Sequence, residues 1–430
     1  MVDKDFAWRL TQELVRIDSS DPGAYEDEIE RYIKALVEER LTRLSHPALD
    51  AVQIEEIEVL PGRRNLMVTV PGLSDEPRLP HICHKDTLTL GATVPGWSAE
   101  PRLVYICHMD TVTLGDGWDA GIPPLGAIVR DDKLYGRGAC DMKGGLACAI
   151  AALVHTLERV AADGALPRRG FSLICSVDEE DFMRGSEAAI DAGWIGSREW
   201  VLDTEPTDGQ IQVAHKGRAW FEIEMTGATA HASQPWKGAD AVAAMAEVVC
   251  SLRRAFAALP VHDELGPSTI TFGQIEGGYR PYVVPDHAKV WVDMRLTPPT
   301  ETAAATRMVE KAIADAETAV PGCHGSYTVT GDRPAIERDP SSPLLAALKR
   351  AADDVTGADT TVGFFTGYTD TAVIAGKTGN RNCMSYGPGS LALAHKPNEY
   401  VPHADIVRCQ NVLIALADNA LWDAGGQVGA

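Results

Sequence analysis

Apolar residues return at helical spacing near the start of the chain, where Phe6, Leu10, Leu14 and Ile17 share one side. They do so again over Glu26–Leu44, with Ile29, Ile33, Leu36 and Val37 on one face. Short strand-like runs follow at Ile54–Leu60, Asn65–Val70, Leu103–Cys107, Gly170–Val177 and Glu199–Leu202. Between the third and fourth lies a long apolar-striped helix, Lys143–Ala162, carrying Leu146, Ile150, Leu153, Val154 and Leu157. Strands alternating with helices of this length predict an α/β sheet with helices on both faces.

The pattern changes near Lys216. From there the spacing predicts a strand (Ala219–Met225), a helix (Ala239–Ala257), two strands (Ser268–Glu276 and Ala288–Arg295), a helix (Thr300–Ala319) and a last strand (Gly325–Thr330). This β-α-β-β-α-β order is the split βαβ pattern of a small sandwich domain. After Gly331–Pro340 come a helix (Leu344–Val355), Gly-rich loops and a final helix (Asp405–Trp422). Residues 332–430 are too loop-rich to stand alone and are read as returning to the first domain. The expected division is therefore 1–215 with 332–430, and 216–331 as an insert.

One strand and its following loop occur twice. EPRLPHICHKDTLTLG (76–91) and EPRLVYICHMDTVTLG (100–115) agree at 12 of 16 positions, 24 residues apart. The repeat is too short and isolated to be a solenoid. Only the second copy is followed by GDGW and, 31 residues after its aspartate, by Asp141. His108 and Asp110 are therefore preferred over His84 and Asp86, and residues 76–99 are expected to form a surface excursion or an extra hairpin.

The composition, 45% hydrophobic and 23% charged, is ordinary for a globular chain, and 430 residues can bury a large core. The net charge is -22, from 39 Lys+Arg against 61 Asp+Glu. Such a surface repels phosphate backbones and anionic lipid, which argues against nucleic-acid and membrane partners. Asp3, Lys4, Asp5 and Arg9 interrupt any signal-peptide core, and no run reaches the roughly 18 uncharged apolar residues of a membrane span. Nine cysteines without a Cys-x-x-Cys pair predict reduced thiols and a cytoplasmic location. Cys107, Cys140 and Cys175 lie beside candidate site residues and read as small buried hydrophobes.

Metal-type side chains cluster in five places. In His108-Met109-Asp110, an extended segment points His108 and Asp110 the same way, so the aspartate can steady a ligating ring; taken alone, His-x-Asp is common and reads as structural. YGRGACDMKGG (135–145) fits neither phosphate-loop spacing, and puts Asp141 just before a helix start, as a dipole partner or a metal ligand. Asp178-Glu179-Glu180-Asp181 ends the apolar strand Phe171–Val177, where four consecutive acids repel unless solvent or a cation compensates. Glu205, in Asp203-Thr204-Glu205-Pro206, again follows a strand, and His395 stands in YGPGSLALAHKPNEYV (386–401). Three of the five follow strand ends, where open α/β sheets place ligands. Two histidines and three carboxylates suit a divalent cation of the zinc type, and suffice for two ions sharing one bridging carboxylate. Adjacent Glu179 and Glu180 can then divide the work of base and ligand.

With these residues in view, the chain resembles the acetylornithine deacetylase / succinyl-diaminopimelate desuccinylase family of co-catalytic zinc amidohydrolases, whose relatives include glutamate carboxypeptidase and several dipeptidases. The resemblance runs in order through His108-x-Asp-Thr-Val, GDGW (115–118), LYGRGACDMKGG, DEE (178–180), Glu205-Pro-Thr, GATAHAS (227–233), VVPD (283–286), DMR (293–295), GPG (387–389) and AHKPNEY. It implies a zinc-peptidase-like catalytic domain, a mixed sheet with helices on both faces, plus an inserted ferredoxin-like lid and dimerisation domain. It also implies two divalent metal ions, zinc with cobalt or manganese as alternatives. His108 and Glu205 would hold one ion and Glu180 and His395 the other, with Asp141 bridging them and its bond to Met142 a candidate for the rare cis form. Asp110 would orient His108, Glu179 would be the general base, and His231 would hydrogen-bond the carbonyl oxygen of the substrate, from its own or the partner subunit of a homodimer. Arg295 would grip a substrate carboxylate, and Gly387 and Gly389 would line the pocket through backbone N–H groups.

The implied activity is hydrolysis of an amide bond in a small N-acyl amino acid or short peptide, with a carboxypeptidase or dipeptidase as the alternative. A binding protein that kept the fold without catalysis is the reading from another class. The sequence departs from the family pattern at Tyr282, where relatives usually carry Asn before VVPD, and Arg280 close by adds a cation. Both are candidate substrate contacts, and neither identifies the acyl group.

Overall fold

The computed structural model describes residues 2–73 and 100–422. The excursion expected over 76–99 lies outside the described residues. The chain forms two compact units: Met1–Val213 with Arg338–Gly363 and Thr369–Ala430, and Ala214–Glu337 with Phe364–Tyr368. The short stretch Phe364–Tyr368, which the sequence places with the first unit, belongs to the second.

The first unit is built on an eight-stranded sheet in the order Val362–Phe365, Ile211–His215, Cys383–Ser385, Trp200–Asp203, Leu103–His108, Phe171–Ser176, Arg63–Val70, Gln53–Leu60. Leu103–His108 runs parallel to both neighbours, and Cys383–Ser385 runs parallel to Trp200–Asp203. Arg63–Val70 and Gln53–Leu60 join antiparallel at one side, and Ile211–His215 pairs antiparallel with Cys383–Ser385. The sheet is thus mixed, with four parallel strands at its centre. Their carboxyl ends lie side by side, and the loops leaving them carry Asp110, Glu179, Glu205 and Gly387.

Both faces are covered, as the alternation of strands and helices predicts. Leu103, Tyr105 and Cys107, with Leu173 and Cys175, join one large core with the helices Phe6–Val15, Asp27–Leu44, Lys143–Asp163, Pro343–Thr356 and His403–Trp422. The alternate residues Val104, Ile106 and Ile174 are equally buried but stand outside that core, because successive side chains on a strand point to opposite faces. Two short helices, Arg184–Asp191 and Asp370–Thr378, pack on each other and on the sheet. The helix Lys143–Asp163 is long and apolar enough to cross a membrane, nearer to a span than the composition suggested. It is instead the central core helix, with its face from Lys143 to Val160 enclosed. At Gly145 a Cβ would meet the Thr204 carbonyl oxygen at 2.2 Å, so only glycine lets this helix lie against the loop that carries Glu205.

The second unit is a four-stranded antiparallel sheet ordered Thr269–Gly277, His287–Leu296, Gly217–Thr226, His324–Arg333. The helices Ala241–Ala257 and Thr302–Ala319 cover one face. Along His287–Leu296 every second residue is buried, the signature of a sheet with one face on a core. This is the ferredoxin-like arrangement expected. Among the described residues every cysteine is unpaired, and all but Cys250 are buried.

His215 is enclosed in the second unit beside the rings of Phe365 and Tyr368, at 5.9 and 6.2 Å between centroids. Burial pushes its pKa down to about 4, against a weaker opposing effect of the Gly367 backbone. The unfolded chain therefore binds a proton that the folded chain refuses between pH 6.5 and 4, and stability falls as pH drops through that window. The full difference is about 3 kcal/mol at 1.36 kcal/mol per unit. The wild-type protein minus His215→Phe, compared by denaturant unfolding at pH 7 and pH 4.5, should show this slope; parallel curves would remove His215 as its source.

Candidate metal centre

His108 is the last residue of the strand Leu103–His108 and is buried. Its Nδ1 lies 2.9 Å from the backbone carbonyl oxygen of Asp110, and that oxygen can only accept. Nδ1 therefore carries the hydrogen, and the Nε2 lone pair is left for a cation. Around Nε2 stand Asp141 Oδ1 at 3.3 Å, Glu205 Oε1 at 3.7 Å and Glu179 Oε2 at 4.0 Å. The other carboxylate oxygen of Asp141, Oδ2, lies 3.5 Å from His395 Nε2, which in turn lies 2.9 Å from Glu180 Oε2. Asp141 thus stands between two imidazoles that arrive from opposite ends of the chain.

The local backbone explains how these groups meet. Asp141 hangs from the Gly-rich turn before the helix Lys143–Asp163, and its bond to Met142 is cis. His395 itself takes the left-handed conformation, φ 62°, rare for a residue with a side chain and common at functional sites. Asp178 does the same at φ 67°, turning the chain so that Glu179 and Glu180 follow into the site. Asp110 fixes that turn: its Oδ1 accepts the Glu179 N–H at 3.2 Å and its Oδ2 accepts the Glu180 N–H at 3.0 Å. Its carboxylate is 3.6 Å from His108 Nδ1, farther than its own main-chain oxygen. Asp110 thus steadies the ring through its backbone and the acidic loop through its side chain. Behind it, Arg63 binds Glu26 and Asp21, and Glu26 Oε1 accepts the Asp178 N–H at 3.1 Å.

The electrostatics call for a cation. Burial, together with Asp370, Glu180 and Asp141, pushes the Glu179 carboxyl well above its usual range. Burial, with Asp141 and Glu179, does the same to Glu205, and burial with Asp141 raises Glu180. Asp141 is held low against its burial by His108 and His395, and His395 rises to about 10 through Asp141 and Glu180. Glu180 Oε1 is buried with no hydrogen-bond partner. Two overlapping sets, His108–Asp141–Glu180 and His108–Glu179–Glu205, each bring their donor atoms within 4.8 Å of one another. Oxygen and imidazole donors at this spacing fit divalent cations of the zinc type.

The sequence pattern of Peptidase family M20/M25/M40 matches residues 104–419. The chain belongs to that family. It is a metal-dependent hydrolase of amide bonds. Among proteins of this kind, a Staphylococcus aureus protein named probable succinyl-diaminopimelate desuccinylase is 27% identical over 313 residues, covering 66% of this chain and 74% of that one. The crystal structure of an aminopeptidase from Bacillus cereus superposes with a TM-score of 0.71 at 21% identity, over 97% of this chain and 98% of that one. A Bacillus subtilis protein described as a dinuclear metal binding peptidase of the M20 family gives 0.68 at 16% identity, over 96% and 98%. At these identities the two structures share the fold.

The second unit of this M20 member also carries residues singled out from the sequence. His231 is exposed, with its Nδ1 2.8 Å from the Ser233 hydroxyl, and its backbone bridges to Val283. Tyr282 is 60% exposed on the same bridge, where its carbonyl accepts the Ala232 N–H. Arg295 lies on the strand His287–Leu296 and is bound by Asp293 at 2.8 and 3.1 Å. Arg280 belongs to the same turn as Tyr282, and its carbonyl accepts the Val283 N–H.

In the first unit, Gly387 packs where a Cβ would meet the Thr204 and Glu205 carbonyls at 2.2 and 2.3 Å. Its N–H is given to the Thr207 hydroxyl at 3.0 Å, so this glycine serves close approach to the Glu205 loop. Gly389 is left-handed at φ 75°.

Sequence reasoning did not single out Glu399 and Arg137, although both stand inside quoted motifs. Glu399 is buried beneath Asp141, and burial with the Asp141 charge pushes its carboxyl up to about 7.

Proposed function

We propose that this M20 hydrolase cleaves the amide bond of a small N-acyl amino acid carrying a free carboxylate, as a deacylase. The observation that carries the hydrolytic reading is Asp141, set between His108 and His395 with Glu205, Glu180 and Glu179 around them. His108 and Glu205 would hold one divalent ion, Glu180 and His395 the other, and Asp141 both. Paired ions of this kind polarise a carbonyl and lower the pKa of water, to about 7 in favourable zinc sites. Glu179 takes the proton of the attacking water on its carboxylate and passes it to the nitrogen of the leaving amine, so that amide and water become acid and amine. His231 is proposed to donate to the carbonyl oxygen as negative charge develops there, a contribution of about 3 kcal/mol. Arg295, Arg280 and Tyr282 are proposed to contact the substrate, and Gly389 to line the pocket. The second unit is proposed as lid and homodimer interface.

The deacylase assignment draws its support from the desuccinylase relative, and a carboxypeptidase or dipeptidase of the same family is the alternative. A panel of N-acetyl and N-succinyl amino acids set against dipeptides and tripeptides distinguishes them. The acylated amino acids are expected to turn over at least tenfold faster; the reverse ratio would make the enzyme a peptidase. Elemental analysis of the purified protein should give two ions per chain, and a content well below one would favour a binding protein on this fold.

A further inference from the structure

Glu399 and Arg137 form a buried ion pair beneath the candidate centre, 3% exposed or less on either side chain, with Arg137 Nη1 2.7 Å from Glu399 Oε2. The other oxygen of Glu399, Oε1, accepts two successive backbone N–H groups, those of Cys140 at 2.9 Å and Asp141 at 3.1 Å. The backbone from which the Asp141 side chain projects is therefore hung on one carboxylate. The main chain adds to this, since the Glu399 carbonyl accepts the Gly136 N–H at 3.0 Å. Arg137 gives three further N–H groups to the Thr113, Leu114 and Lys396 carbonyls, and its guanidinium lies over the Trp118 ring at 5.4 Å.

Three segments meet at this pair. One follows His108 and Asp110, one carries Asp141, and the third is the loop that brings His395 four residues before Glu399. A single charged contact thus joins the segments that carry the two imidazoles and the carboxylate between them. A buried pair of this kind is weak evidence for stability but fixes geometry, because its donors and acceptors are satisfied in one arrangement only.

We infer that Glu399 and Arg137 are positioning residues that set the spacing of the two cation positions through the backbone of Asp141, without touching substrate. The inference rests on the reading that Asp141 is shared by two ions. Its consequence is that loss of the pair loosens both ions together and lowers kcat, while KM at saturating metal stays the same.

The test is Glu399→Gln, which keeps the size and one acceptor but removes the charge and faces Arg137 with an amide. Metal affinity is read by chelator competition on the zinc protein, and site geometry by the visible absorption spectrum of the cobalt-substituted protein. Both ions are expected to bind about 10- to 100-fold more weakly, the usual effect of losing a group that holds a ligand in place. The cobalt spectrum should shift, kcat should fall, and KM should stay within twofold. Where Glu399→Gln does not fold, Arg137→Lys carries the same measurements, because it keeps the charge while losing the fork that spans the three segments. A folded variant with wild-type affinity for both ions and an unchanged cobalt spectrum would overturn the inference, as would a rise in KM alone. Wild-type protein that binds no metal would instead sink the two-ion reading itself.

Discussion

Glu179→Ala is expected to keep its two ions and lose about 10²- to 10⁴-fold in kcat, the range in which general bases contribute. The metal should stay because the acidic loop is held by its backbone. Asp110 accepts the N–H groups of both Glu179 and Glu180, and Glu26 accepts that of Asp178. Truncating one side chain leaves those three bonds in place, so Glu180 continues to face His395 at 2.9 Å. Elemental analysis and steady-state turnover on the same preparation check the two halves of the expectation. Near-normal turnover would take Glu179 out of the mechanism, and loss of an ion would make it a ligand.

Asp141→Asn should have the broader effect, with affinity for both ions down by more than about 100-fold, beyond what the loss of a supporting group costs. An amide has the shape of the carboxylate but presents a donor where one of its two acceptors stood. One of the imidazoles, 3.3 or 3.5 Å away, then meets an N–H in place of an oxygen. Glu205→Gln and Glu180→Gln each border one imidazole and should weaken mainly one ion. Stepwise metal titration of the three variants separates the cases. A tightly bound pair of ions in Asp141→Asn would remove the shared carboxylate from the centre of the scheme.

The elements with strong periodicity were legible in the sequence. The helix expected over Glu26–Leu44 forms from Asp27, and the strand expected over Ala288–Arg295 runs one residue further at each end. The helix Asp370–Thr378 was not, because its nine residues follow Gly367 and begin with Asp-Thr, which reads as loop; its start is fixed by the Thr369 side chain, which accepts the Ala372 N–H. The strand Ile211–His215 is too short to show alternation and is buried along its whole length.

Within the centre, residue types that can bind a cation were legible only jointly, since each cluster alone also reads as structural and it is their recurrence after strand ends that points to a cation. What steadies them was not legible. The role of Asp110 is divided between its main-chain oxygen and its side chain, and no spacing rule reports which atom does which. Glu399 lay inside AHKPNEY, and its only signal was an acid four residues after His395 with an arginine far upstream.

The placement of the proposed ligands bears on how the enzyme is made. His108, Asp141, Glu180 and Glu205 all precede the insert, and His395 follows it. During synthesis from the amino end, the first imidazole and its acids leave the ribosome early, then wait while the whole ferredoxin-like body is translated. The position proposed for His108, Asp141 and Glu205 would then have its protein ligands, while the other would still lack His395. On this reading, completion of the second position waits for the loop that carries His395, made after the whole insert.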